Sequence, residues 1–296
     1  MSDPAGTDWV ENAVLVYGPR KAGTTLFQNL LDGGEELFVY PHELKLKYFV
    51  KHPPGADILS TYWRESRIPK VRSPLLDLTR YAELWKSSGK GELPELVRRD
   101  ARFVLESCGR KPSSLKLWAA KEVGGRSEGI FRLWRALFPQ GRMLFILRDP
   151  RMVTRAVLNE RRRLGHRPGL VELAREVIDP AKVAAAQARW LTDPAVLAIT
   201  YEDLVADTPE TMRRVAAFLG ISYGDFLSYP SIFGASTVVA TASQSEKSVF
   251  RSDAVWHKGL TRRERLVVGL VSAMLRLLGR GIDYPALRRR LAEREA

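Results

Sequence analysis

The chain has 296 residues, 45% hydrophobic and 27% charged, which is the make-up of a globular protein with enough length for one large α/β domain or two small ones. Its single cysteine, Cys108, excludes a disulfide framework or a cysteine-based metal site within the chain. Lys and Arg number 47 against 34 Asp and Glu, a formal charge of +13, but the basic residues are scattered without aromatic interleaving, so no nucleic-acid module is expected.

The first residues are polar and acidic (Ser2, Asp3, Asp8, Glu11) and lack a basic-then-apolar leader. A cytoplasmic location is therefore expected. Apolar runs predict buried strands at 13–17, 37–40, 115–119, 142–147 and 196–200. Helical periodicity predicts helices at 24–31, 127–138, 150–163, 181–191, 209–219 and 262–278. Strands apolar on both faces, alternating with helices, imply a parallel sheet covered on both sides. The fold class is thus α/β: a P-loop-like parallel β-sheet flanked by helices, in a single domain spanning 1–296. Its core lies at 13–50 and 110–280, and a helical insertion falls at about 51–109, with a helix over 93–106. A Ser-, Thr- and Gly-rich loop is expected over 229–260. The apolar stretch 266–278 is broken by Arg276 and too short to span a bilayer. It reads as a core helix, with weak membrane-surface association as the alternative.

The densest local signal follows the first strand, in Gly18-Pro19-Arg20-Lys21-Ala22-Gly23-Thr24-Thr25. A strand, a glycine loop and a helix N-terminus place backbone N–H groups and a partial positive charge at one spot, which suits a phosphate. A Walker A loop carries its lysine directly after the second glycine, whereas here Thr24 follows Gly23 and Lys21 precedes it. This variant resembles the Pro-basic-small-Gly-Thr-Thr signature of sulfotransferases that use 3′-phosphoadenosine 5′-phosphosulfate (PAPS) as co-substrate and release adenosine 3′,5′-bisphosphate (PAP). The resemblance implies that Arg20, Lys21, Ala22, Gly23, Thr24 and Thr25 bind the 5′-phosphosulfate, with Lys21 also catalytic.

Further motifs follow in order along the chain. Arg148-Asp149-Pro150 ends the fourth strand and resembles the family's element for the 3′-phosphate. A guanidinium there suits bidentate phosphate binding, and Pro150 suits a first helical turn. The family often has a serine eight residues after that arginine, where this chain has Ala156. Thr154, Arg155 and Asn159 are the substitutes on the same helix, and helical phase favours Asn159. Tyr201-Glu202-Asp203-Leu204 resembles a family segment that places Tyr201 near the adenine. In the late loop, Arg251 and Lys258 are candidate phosphate contacts, and Trp256 packs nearby. Glu43, in Pro41-His42-Glu43-Leu44-Lys45-Leu46-Lys47-Tyr48-Phe49, resembles the glutamate base of carbohydrate-type members, with His42 as its rival. A carboxylate beside positive charge stays ionised and accepts a proton. Lys121 resembles a lysine of bacterial members.

The resemblance implies sulfuryl transfer to a hydroxyl or amine of a small-molecule, saccharide or lipid-linked acceptor, without a metal. The insertion, with Tyr62, Trp63, Trp85 and Arg98, is expected to shape the acceptor site. Oligomeric state stays open. The alternative is a P-loop kinase of small metabolites using ATP and Mg²⁺, with Asp149 as its metal ligand.

Overall fold

The computed structural model describes residues 8–50, 76–87, 91–236 and 255–293. Five segments form one parallel sheet: β1 (Ala13–Gly18), β2 (Leu37–Glu43), β3 (Leu117–Val123), β4 (Arg142–Leu147) and β5 (Val196–Thr200). Their order is β2-β3-β1-β4-β5. All six residues of β1, the central strand, are buried, as continuous apolar sequence requires.

The helices are α1 (Thr24–Leu31), α2 (Leu78–Lys86), α3 (Leu93–Ser107), α4 (Ser127–Leu137), α5 (Pro150–Arg163), α6 (Leu170–Arg189), α7 (Tyr201–Ala206), α8 (Thr208–Leu219), α9 (Arg262–Leu277) and α10 (Tyr284–Glu293). One face of the sheet packs on α1, α7 and α8 through Phe27, Leu30, Leu204, Met212 and Val215. The other packs on the α2–α3 pair and α4 through Tyr81, Trp85, Leu96, Val104, Phe131 and Trp134. On that side Asp100 is fully buried and accepts hydrogen bonds from Tyr40 and Tyr81, each 2.6 Å long. Two donors on one carboxylate satisfy a group that burial would otherwise penalise heavily. Outside the sheet, α5, α6 and α9 enclose a third small cluster of Leu158, Leu173, Val177, Leu260 and Val268. A short antiparallel hairpin, β6 (Ser231–Ile232) with β7 (Ala235–Ser236), lies within the predicted loop.

Three predicted boundaries change, each for a physical reason. Strand β2 continues through Pro41 to Glu43, because it is the sheet's edge and a proline there costs no ladder hydrogen bond. Strand β3 starts later and runs further than 115–119, which puts Lys121 and Glu122 inside it. Helix α6 begins at Leu170 and passes through Pro180. A mid-helix proline orphans the carbonyl four residues back. That carbonyl, on Glu176, lies 2.9 Å from the Thr154 hydroxyl of α5, which it shares with the Pro150 carbonyl at the same distance, so the neighbouring helix offsets part of the loss.

Candidate active site

The loop after β1 is shaped by close approaches that admit only glycine. A Cβ on Gly18 would lie 2.7 Å from the Ile146 side chain of β4. Gly23 has φ +99°, and a Cβ there would meet the Tyr201 ring at 2.5 Å. Lys21 also takes a left-handed backbone, with φ 66°. Ala22 N–H donates back to the Pro19 carbonyl at 3.1 Å, which closes the turn. Gly23 then caps α1 without a side chain, so the first N–H groups of the helix have no side-chain acceptor. Beneath the loop, the buried Gln187 amide of α6 lies 3.1 Å from the Tyr17 carbonyl and 3.4 Å from that of Ile146. It ties the ends of β1 and β4 together.

Arg148 closes the far side. Its guanidinium donates to the Lys21 carbonyl at 2.9 Å and lies 4.0 Å from the Tyr201 ring centroid. Tyr201 is therefore a platform that touches both Gly23 and Arg148. Arg148 Nε is buried and makes no hydrogen bond. Helix α5 starts after Asp149, whose carboxylate caps Arg151 N–H at 2.9 Å and pairs with the Arg151 side chain at 2.7 Å. Asp149 is thus occupied as a cap and an ion-pair partner, which is poor preparation for a kinase metal ligand.

The second-contact candidates on α5 have other employment. Thr154 is buried against α6, Arg155 donates to the Val255 carbonyl, and the Asn159 carbonyl accepts from Arg162 at 2.8 Å. Their neighbour Glu160 is the residue that reaches the loop. Its carboxylate lies 2.6 Å from Lys21 Nζ and also pairs with Arg20. Burial alone would raise Glu160, but the hydrogen bonds and charges of Lys21 and Arg20 win and hold it below the usual carboxylate range. Sequence reasoning missed it; the signal was its position one helical turn after Ala156.

Glu43 stands at the end of β2, in register with Lys121 of β3. Lys45, with φ 61° and almost no exposure, folds back onto the Glu43 carboxylate. Burial works to raise Glu43; the Lys45 hydrogen bond and the charges of Lys45, Lys121 and Lys47 overcome it and leave the group below its ordinary value. Lys121 Nζ donates to Thr25 Oγ1 at 3.0 Å. Desolvation lowers the Lys121 ammonium's affinity for its proton, and the Glu43 charge opposes this. Thr25, having accepted that bond, keeps its own proton to donate, whereas Thr24 is buried with its methyl against Gly18. His42 is half-buried on the same strand. On the opposite face of β3, Glu122 is fully buried with one carboxylate oxygen unpartnered, and desolvation pushes it up to about 7.

The remaining candidates lie apart. Trp85 is packed against Tyr81 and Phe103, and Arg98 pairs with Glu11 at 2.6 Å, so both hold α2 and α3 in place. Lys258 is exposed in a turn that Arg155 and Arg162 tether to α5 through the Val255 and Gly259 carbonyls. Trp256 faces Arg151, whose guanidinium carbon is 5.5 Å from the ring centroid. Arg251, Tyr62 and Trp63 lie outside the described residues.

The sulfotransferase family model matches residues 13–225, from the first strand past the last helix of the sheet. The chain belongs to the sulfotransferase family. The solved structures it is similar to include the sulfotransferase domain of the curacin biosynthetic pathway, at 16% identity over 88% of this chain and 97% of that one, TM-score 0.48. Mouse sulfotransferase SULT7A1 complexed with PAP gives 14% identity, 96% and 89% coverage and TM-score 0.49. A sulfotransferase from Alicyclobacillus acidocaldarius gives 15%, 94%, 98% and 0.45. Membership rests on the family match and not on these likenesses. No curated protein matches the sequence. No described helix is long and apolar enough to cross a membrane.

Proposed function

We propose that this sulfotransferase moves the sulfuryl group of PAPS to a hydroxyl (or amine) of a saccharide, lipid-linked or natural-product acceptor by in-line displacement. Glu43 removes the acceptor proton, the acceptor oxygen bonds to sulfur, and the bond from sulfur to the bridging phosphate oxygen breaks. The electron pair leaves on the 5′-phosphate of PAP. Lys21, Lys121 and the N–H groups opening α1 meet that growing negative charge. Preorganised donors of this kind are commonly the largest part of catalysis. Arg148, steadied on Tyr201, takes the 3′-phosphate.

One observation carries this reading. Lys121, in register with Glu43, donates to Thr25 at the start of α1, so the base and the phosphate cradle form one connected cluster. A cradle without an adjacent proton acceptor would bind nucleotide and do nothing more.

The test uses labelled sulfate in PAPS against a panel of sugars, glycolipids and phenols. Lys21→Ala is expected to lower turnover by ~10²–10³-fold with the fold intact. Undiminished transfer by that variant, or transfer of label from γ-labelled ATP with Mg²⁺ and none from PAPS, refutes the proposal.

A further inference from the structure

Helix α9 has an unusual outer face. Leu266, Leu270, Met274 and Leu277 are 62%, 62%, 48% and 89% exposed. Their spacing of three and four residues stacks them in one stripe along the helix. Leu278, also exposed, extends the stripe at its end. The opposite side, through Val268 and Leu275, is the one that packs inward. A helix buried on one side usually shows water a polar face; this one shows leucine.

The exposed charges of the helix itself have one sign. Arg262, Arg263, Arg265 and Arg276 lie on α9, and Arg280 follows it. Among the described residues none of these five pairs with a carboxylate. The helix's single acid, Glu264, is turned inward, where it accepts from Thr261 N–H at 2.7 Å in a capping box. From Arg262 to Glu293 there are eight arginines and three carboxylates.

Two occupants would cover an apolar stripe of this kind: a second copy of the chain or a lipid surface. Self-pairing through a two-fold axis would set the same unpaired arginines against each other, with no carboxylate to answer them. An anionic lipid surface answers both features at once: acyl chains take the leucines and headgroup phosphates take the arginines. We infer that α9 docks this enzyme, side-on and reversibly, onto anionic lipid bilayers. Nothing spans the bilayer in this arrangement.

The experiment is co-sedimentation of the full chain with vesicles of phosphatidylcholine alone, or with roughly one-third phosphatidylglycerol, at low and at physiological salt. Binding is expected only to the anionic vesicles and is expected to weaken with salt. Replacing Leu266, Leu270 and Leu277 together by Ser should abolish it. Replacing Arg262, Arg263 and Arg265 by Gln should cost ~5-fold per residue. All these side chains are exposed and lie outside the nucleotide site, so both variants should keep wild-type affinity for PAP, which also verifies their fold. Equal sedimentation with neutral and anionic vesicles, undiminished binding by the serine variant, or a solution dimer that the serine variant dissociates would each overturn the inference.

Discussion

Glu160→Gln is the most incisive perturbation of the site. Lys21 is the cation expected to grip the 5′ end of the nucleotide, yet its ammonium already lies 2.6 Å from the Glu160 carboxylate, which also holds Arg20. An anionic ligand must therefore compete with Glu160 for both cations. The Arg20 partner is 55% exposed and the Lys21 side chain 31%, so neither interaction has the strength of a buried pair. Exposed pairs contribute ~0.2–1 kcal/mol each, with Lys21 at the upper end. Removing the competing charge should release ~1–2 kcal/mol to the ligand, or ~5–30-fold tighter PAP binding. Gln keeps the shape and one acceptor oxygen, so the change is electrostatic. Calorimetric titration with PAP reads it directly. In a Lys21→Ala background the gain should shrink to the Arg20 share, because coupled residues are not additive. If Glu160→Gln binds PAP with equal or weaker affinity, Glu160 positions Lys21 instead of competing for it, and the reasoning fails.

Three further outcomes are expected. Glu43→Gln should lower kcat by ~10²–10⁴-fold with little change in PAP affinity. Because Glu43 is held below its ordinary value, the acid limb of the wild-type kcat/KM profile should lie below the ordinary carboxylate range, and a limb near neutrality would refute the assignment. Tyr201→Ala should weaken PAP binding by ~5–30-fold by removing the platform under Arg148 and Gly23, read in the same titration. Glu122 has a folded-state value of about 7, above the ~4.3 of an unfolded chain, so the native state holds the proton longer and stability falls as pH rises between the two. Glu122→Gln should accordingly match the wild type near pH ~4 and exceed it by up to ~3 kcal/mol above pH ~8, measured by denaturant melts.

What the sequence reveals here depends on how local the cause is. The Gly18–Thr25 loop is legible because strand, turn and helix cap are neighbours along the chain; what the sequence does not show is that Ile146 and Tyr201 leave no room for a Cβ at Gly18 and Gly23. Arg148 is legible for the same reason: a strand end, a capping Asp149 and Pro150 at the first helical turn are contiguous. Glu160 is not, because its role depends on the phase of α5 against a loop far away in sequence. Nor is the Lys121–Thr25 bond, which exists only because β3 runs past the apolar residues that mark it into two charged ones. Pro180 misleads a local reading outright. The rule that proline ends a helix is sound, and Thr154, on another helix, suspends it. Asn159 shows the limit from the other side: helical phase singles it out, and its own neighbour Arg162 occupies it.

The strand order sets out the proposed nucleotide cradle and the proposed base along one edge of the sheet. Ligands of open α/β sheets collect at the carboxyl ends of the strands, where connections depart to opposite sides. In the order β2-β3-β1-β4-β5 the cradle sits on the central strand. Arg148 emerges from β4 on one side, and Lys121 and Glu43 emerge from β3 and β2 on the other. Arg148, the proposed 3′-phosphate ligand, thus flanks the cradle toward β4, while Glu43, the proposed base, lies two strands away from β1. That separation matters electrostatically. A carboxylate placed beside Arg148 would oppose an anionic ligand there; placed at Glu43, it is ringed by Lys45, Lys47 and Lys121, which hold it below its ordinary value. Glu160 is the exception, a carboxylate on the nucleotide side. Its effect on Lys21 is for that reason the most direct measure of whether charge placement governs this site.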